Sequence, residues 1–262
     1  METTIYYFSG TGNSLKVSTA LSKKLGNCDI LPIASCVKKN DYKVNSKQVG
    51  FVFPLYYLGL PKIVADFIKN LNMNDVTYVF TVVTRGWPIV GGAIKQMKKL
   101  MYDKGMCLDY GAYIHMPMND ITLAQIPSEK SQDKIFGSFN KQINKVVKNI
   151  SNHNKGYEPE PISFLLEKRN TPFINRVNQM DQFYRVDTSC IGCGICEKVC
   201  PVDNIHIEHG IPHWNNQCQM CLACYHYCPN RAIQYGDKGK NTKQYHHPDV
   251  SVQQIMNQKS IS

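Results

Sequence analysis

The chain has 262 residues, more than one ordinary domain and enough for a domain of common size plus a small one, with at least one sizeable buried core. Its most apolar runs, Val49 to Leu60 and Val76 to Val83, are short and carry Pro54 or polar residues, which argues against a membrane span. Thirty Lys and Arg against 20 Asp and Glu give a formal net charge of +10, which would attract an acidic redox partner, an anionic membrane surface or nucleic acid, but the lysines are dispersed and form no basic run of a nucleic-acid footprint, which favours a solvated lysine-rich surface.

The amino-terminal METTIYYFSG has no basic region, long apolar stretch or small-residue cleavage site, so no export signal is expected and a cytoplasmic setting follows. Ile5 to Phe8 reads as a first strand, followed by the turn SGTGNS and a helix with apolar positions Val17, Ala20, Leu21 and Leu25 that stops at Gly26. Ile30 to Ile33 is a short edge strand. Gln48 to Phe53 is a buried one that leads through FPLYYLGLP into a helix with inner face Val64, Phe67, Ile68 and Leu71. Thr77 to Val83 and Leu108 to His115 are the fourth and fifth strands, separated by a helix marked by Ile94, Met97 and Met101. Phe136, Phe139, Ile143, Val147 and Ile150 make a long amphipathic helix. The alternation over residues 1–155 predicts an α/β fold, a parallel sheet of five strands covered by helices on both faces.

Three loops of this unit carry candidate ligand chemistry. Ser9, Gly10, Thr11, Gly12, Asn13 and Ser14 join the first strand to the first helix, where backbone N–H groups and the helix dipole favour a phosphate, and the hydroxyls and the Asn13 amide add neutral donors. The loop lacks a Walker lysine and departs from Gly-x-Gly-x-x-Gly at Leu15, so a terminal monophosphate suits it. It resembles the phosphate-binding loop of flavodoxins, and the resemblance covers about residues 3–150. The resemblance implies a doubly wound sheet in the order 2-1-3-4-5 with FMN at the switch point. It further implies that Pro54, Leu55, Tyr56, Tyr57, Leu58 and Gly59, with Thr84, Arg85, Gly86, Trp87 and Gly91, surround the isoalloxazine ring. Tyr56 or Tyr57 and Trp87 are the stacking candidates, and Gly59, Gly86 and Gly91 let backbone approach. Two features depart from that family: the domain is basic, and Arg85 stands where few charges are expected.

Residues 156–184, beginning near YEPEP, read as a linker with short helices whose Phe173, Ile174 and Val177 dock on a neighbour. Of 11 cysteines, Cys28, Cys36 and Cys107 are scattered while eight crowd into residues 190–228, which points to metal ligation rather than disulfides. CIGCGICEKVCP places Cys190, Cys193, Cys196 and Cys200 in the spacing Cys-x2-Cys-x2-Cys-x3-Cys-Pro, and CQMCLACYHYCP repeats it 28 positions later with Cys218, Cys221, Cys224 and Cys228. Pro201 with Pro229 and Ile205 with Ile233 keep the same offset, so the segment is an internal duplication. Each triplet can wrap one face of a cubane, leaving a fourth iron for a remote ligand. Zinc sites use two Cys-x2-Cys pairs instead, and His206, His209, His213 and His226 read as bystanders.

Residues 186–235 resemble a bacterial two-cluster ferredoxin, a small α+β unit spanning 185–236 here, ahead of a polar tail, 237–262, expected to be poorly ordered and given no chemistry. Crossed ligation is implied: Cys190, Cys193, Cys196 and Cys228 for one [4Fe-4S] cluster, and Cys218, Cys221, Cys224 and Cys200 for the other. The whole chain resembles the fused flavodoxin-ferredoxin proteins of anaerobic bacteria. That resemblance implies electron transfer between the clusters, FMN and a redox partner, acidic by charge complementarity, under low oxygen. The alternative is a flavin-dependent reductase with a small-molecule or quinone substrate near Tyr57, Trp87, His115 and Asn119, although no acid-base pair is recognisable.

Overall fold

A computed structural model describes residues 2–87, 91–161, 163–237 and 242–259, with the backbone alone for 163–168. Short apolar strands alternate with amphipathic helices in β1 (Thr3–Tyr7), α1 (Asn13–Leu25), β2 (Cys28–Pro32), α2 (Ile33–Lys39), β3 (Gln48–Pro54), α3 (Lys62–Asn70), β4 (Tyr78–Arg85), α4 (Ala93–Asp103), β5 (Tyr110–His115), α5 (Glu129–Ser151) and β6 (Gly156–Tyr157). The strands form a parallel sheet in the order β2-β1-β3-β4-β5-β6.

The pleat divides each strand between two cores. Ile5, Tyr7, Phe80 and Val82 pack with Leu21 of α1 and Ile143 of α5, whereas Tyr6, Phe51, Phe53 and Val79 pack with Phe67 of α3 and Met97 of α4. Each fully buried Phe, Ile or Leu contributes roughly 1.5–3 kcal/mol. Fully buried Phe51, Phe53 and Phe80 therefore anchor the centre of the sheet.

The expected sheet ended at five strands, and a sixth is present. The chain leaving α5 returns to the open edge of β5, where the Gly156 N–H donates to Asp109 O at 2.9 Å and the Glu158 N–H to Gly111 O at 2.9 Å, covering ladder groups that an edge would leave exposed.

After α6 (Ser163–Arg176) and a 3-10 turn (Val177–Phe183), the remaining elements form a small lobe: β7 (Tyr184–Val186), α7 (Ile195–Val199), the hairpin β8 (Ile205–Glu208) and β9 (Ile211–Trp214), α8 (Ala223–His226) and β10 (Ile233–Tyr235). β10 pairs with β7 antiparallel. Among the described residues no helix is long and apolar enough to cross a membrane.

The tail departs from expectation. Tyr245, Val250 and Ile255 are buried, and α9 (Val252–Met256) opens with a capping box between Ser251 and Gln254. Three apolar side chains and a capped helix are enough to dock a segment whose overall composition is polar.

Candidate functional site

Four loops at the carboxyl ends of β1, β3, β4 and β5 surround a cavity of about 380 Å³, which is also lined by Arg169 and Phe173 of α6 and by Met220, Cys221 and Leu222. This is where an open α/β sheet binds its ligands, next to the point where strand order reverses. Of the expected residues, Ser9, Gly10, Thr11, Asn13, Ser14, Pro54, Leu55, Tyr56, Tyr57, Leu58, Thr84, Arg85, Gly86 and Trp87 line it. Gly12, Gly59 and Gly91 stand behind the wall. A Cβ on Gly59 would meet Asn170 and Gln96, and one on Gly91 would meet Leu55, so their smallness serves packing beneath the loops. Pro88 to Val90, within the third expected loop, lie outside the described residues.

The first loop is held from several sides. Gly12 is the N-cap residue of α1, at φ 96°, and donates its N–H to Ser9 Oγ at 3.1 Å. Ser14 Oγ and Thr84 Oγ1 share a hydrogen bond of 2.9 Å. Asn13, expected as a ligand donor, donates its Nδ2 to Pro117 O at 3.1 Å and accepts from Tyr245 Oη at 2.6 Å, while Thr11 Oγ1 accepts from Asn119. α1 itself has no side-chain cap and no acidic residue in its first turn, so its positive end is free to act on an anion in the cavity.

The second loop is a tight turn closed by reciprocal hydrogen bonds between Tyr56 and Gly59 of 3.0 and 2.9 Å. It places Tyr57 and Leu58 at φ 43° and 72°, strained for residues with a Cβ. Buried Asn170 of α6 stabilises this turn, donating Nδ2 to the carbonyls of Tyr56 at 3.1 Å and Tyr57 at 3.2 Å and accepting from Gln96 at 3.0 Å. Tyr57 stacks on Phe173 at 4.9 Å, whereas Tyr56 turns edge-on to Phe8. Trp87 and Tyr57 are more than 40% exposed and form the rim. Arg85 lies over the Tyr113 ring, and its buried Nε has no partner, a donor awaiting an acceptor. His115 is absent from the lining, because its Nε2 is engaged with Gly86 O at 3.1 Å.

Sequence reasoning expected Phe173 of α6 to dock on a neighbour but gave that helix no part in the cavity, and it missed the contribution of the tail. The His247 N–H donates to Thr11 O at 2.8 Å, Gln258 Nε2 donates to Ser9 O at 3.1 Å, and Val250 packs where a Cβ on Gly12 would stand. Burial pushes His247 down to about 4, and it packs edgewise against Phe136 of α5. The available signal was the spacing of Tyr245, Val250 and Ile255.

The duplicated segment surrounds two further cavities. One is lined by Cys190, Cys193, Cys196 and Cys228 with Ile207, Pro212 and Ile233. The other is lined by Cys200, Cys218, Cys221 and Cys224 with Tyr184, Ile205 and Trp214. Among the described residues no three His, Cys, Asp or Glu side chains are placed to share a single metal ion. Burial raises the Cys196 thiol to about 11 and the Cys221 thiol to about 12, so thiolates here call for positive charge inside the cavity.

The duplication is written in the backbone as well. Gly192 and Met220, Gly194 and Leu222, and Asp203 and Arg231 are pairs with positive φ, and each pair keeps the 28-residue offset. The Asn204 N–H donates to Cys200 Sγ and the Ala232 N–H to Cys228 Sγ, each at 3.3 Å. His226 is a clamp rather than a ligand: Nδ1 accepts from the Tyr245 N–H at 3.1 Å, which leaves Nε2 to donate to Asn119 O at 2.7 Å, and burial pushes its pKa down to about 4.

The two ends of the site meet at Cys221, which lines both the sheet-end cavity and the second cysteine cavity. Gly10 makes the approach possible, because a Cβ there would lie 2.3 Å from Cys221 O.

Residues 184–206 match the 4Fe-4S binding domain family. No curated protein matches the chain. Solved structures with similarity include an azoreductase from Bacillus anthracis, 14% identical over 58% of this chain and 99% of that one with a TM-score of 0.38. A flavodoxin from the domain Archaea is 15% identical over 56% of this chain and 99% of that one, TM-score 0.36. Rubredoxin oxygen:oxidoreductase from the anaerobe Desulfovibrio gigas is 14% identical over 56% of this chain and 36% of that one, TM-score 0.34. The strand order and the family match together give a flavodoxin-type doubly wound sheet fused to a ferredoxin-type 4Fe-4S segment.

Proposed function

We propose that this chain is an electron-transfer protein holding FMN in the sheet-end cavity and two [4Fe-4S] clusters in the cysteine-lined cavities. The observation that carries the reading is the position of Cys221 on the wall of both the sheet-end cavity and one cysteine cavity. FMN exchanges one or two electrons and each cluster one, which suits a chain that links one-electron to two-electron partners.

The residues fit these groups. The crossed set of Cys190, Cys193, Cys196 and Cys228, with Cys218, Cys221, Cys224 and Cys200, follows the composition of the two cavities. Ser9 to Ser14 and the uncapped α1 would bind the phosphate. Tyr57 and Trp87 would flank the ring at the rim, and the partnerless Arg85 Nε would find an acceptor. Met220 and Leu222 exclude water between the flavin and cluster sides. Residues 1–155 would then be the flavin domain, 156–184 a connecting segment that also covers the cavity, 185–236 the cluster domain and 237–262 the tail, of which 242–259 form a strap. An acidic redox protein in an anaerobic cytoplasm is the expected partner.

Protein purified anaerobically is expected to contain FMN and about eight irons per chain. Zinc in place of iron, with no flavin, would sink the reading. The open aromatic rim favours a second reading, a reductase that admits a small acceptor over the flavin. Saturable turnover of such an acceptor by the reduced protein would support it, and transfer to proteins alone would exclude it.

A further inference from the structure

Five buried polar side-chain atoms among the described residues lack a hydrogen-bond partner: Arg85 Nε, Tyr184 Oη, Trp214 Nε1, Tyr227 Oη and Gln258 Oε1. Two of them, a hydroxyl and an indole N–H, belong to residues lining the cavity of Cys200, Cys218, Cys221 and Cys224. A buried donor left unsatisfied is destabilising, so two around one cavity ask for an explanation. The rings stack with centroids 5.3 Å apart and planes 2° from parallel, which holds both donors in place. The hairpin sets this geometry: Ile205 and Trp214 pair across β8 and β9 and both line this cavity, while Ile207 and Pro212, the next inward pair, line the other.

An indole N–H can only donate, so its partner must be an acceptor. The two side-chain amide oxygens of this cavity are engaged, Asn204 Oδ1 by the Asn215 and Gln217 N–H groups and Gln219 Oε1 by the Ile63 N–H, which leaves sulfurs as the side-chain acceptors. The other cysteine cavity has no such pair of donors. Ile191, Ile195, Ile207, Pro212 and Ile233 surround it, and the Asn230 side chain donates to Ser189 O at 3.0 Å instead.

We propose that Tyr184 and Trp214 donate hydrogen bonds to sulfurs of the [4Fe-4S] cluster held by Cys200, Cys218, Cys221 and Cys224, raising its reduction potential above that of the other cluster. The proposal rests on the two-cluster reading above. A donor at a cluster sulfur favours the more negative, reduced form, and hydrogen bonds to the sulfurs are among the recognised determinants of cluster potential. The two aromatic residues are positioning residues: they bias an added electron towards the cluster whose Cys221 reaches the flavin cavity.

The test uses the full chain, loaded anaerobically, with the two cluster potentials measured by spectroscopic redox titration. In Tyr184→Phe and in Trp214→Phe the higher potential should fall while the lower stays, by about tenfold in the reduced-to-oxidised ratio, or about 59 mV for a one-electron couple. Unmoved potentials in both variants, or an equal shift of both clusters, overturn the proposal. If a variant loses iron, Tyr184→3-fluorotyrosine keeps the shape and strengthens the donor: a rise in the higher potential supports the proposal and no change overturns it. Wild-type iron near four per chain overturns the two-cluster reading itself, and the proposal with it.

Discussion

The two cysteine loops descend from one repeated segment and adopt the same left-handed backbone at matched positions, but they fill those positions differently. The first repeat uses Gly192 and Gly194, where positive φ is easy; the second uses Met220 and Leu222, where it is strained. The first loop lies nearer solvent, with Ile191 66% exposed and Cys193 exposed, and a Cβ on Gly192 would meet Gly210 O at 3.0 Å, so that position has no room for a side chain. The second loop faces the sheet-end cavity, and Met220 and Leu222, both buried, form part of its wall. Duplication conserves the ligand geometry, and the neighbourhood decides whether a strained position keeps its glycine.

The largest effect should come from breaking the exchange between repeats. On the proposed crossed ligation Cys228→Ser would remove the remote ligand of the first triplet, so iron should fall by about half and the remaining spectrum should belong to a cluster beside the sheet-end cavity. Unchanged iron content would refute the crossed set. Next is Leu222→Gly. Loss of a buried leucine side chain costs about 2–5 kcal/mol, and relief of the left-handed strain returns about 1–2, so a net loss of roughly 2 kcal/mol is expected in anaerobic denaturant unfolding. Gly194→Leu, its counterpart, takes on the left-handed strain at a position where a Cβ meets nothing closer than Glu197 Oε2 at 4.0 Å. If Leu222→Gly stabilised the protein, its packing role would be wrong.

Gly10→Ala sharpens the same comparison from the opposite side of the junction. The new methyl would meet backbone, the Cys221 carbonyl, which cannot swing away as a side-chain tip can. Overpacking of this kind costs about 1–3 kcal/mol. The expected result is weaker flavin binding, read by fluorescence of released flavin, with iron content retained. Tight flavin binding in this variant would show that the contact has slack.

How much of this was legible depends on the range of the interaction. Ligand spacing and the SGTGNS turn are local, and the strand–helix alternation from Thr3 to His115 is carried by periodicity within each element. The sixth strand is two residues long, too short for any period, and it exists because β5 offers an edge. Asn170 is an unremarkable polar residue in the chain, and its role in holding the Tyr57 turn arises from a contact 113 residues away. The tail hides best, since Tyr245 finds Asn13 across 232 positions and Gln258 finds Ser9 across 249.

The smallest effect at neutral pH, and the one that separates the strap from the lobe it crosses, concerns His247. Burial holds its pKa near 4; Asp249 beside it pulls upward, and Lys16 and His246 push further down. In the unfolded chain the imidazole takes its proton near pH 6.5, so between about 6.5 and 4 the unfolded state binds more protons than the folded one. Stability from this burial is therefore complete above about pH 6.5 and is lost as the pH falls towards 4. Because the His247 N–H donates to Thr11 O, acid should release the strap from the loop between β1 and α1. Amide exchange at residues 245–258 should rise between about pH 7 and pH 5 more than in β3 and β4, whose opening requires the whole sheet. His247→Phe should reduce that difference, since a neutral ring of similar size has no proton to take up, and leave the share due to His226, which is also held near 4 and accepts from the Tyr245 N–H. A variant that kept the full acid response would move the titration to another group and leave His247 as packing alone.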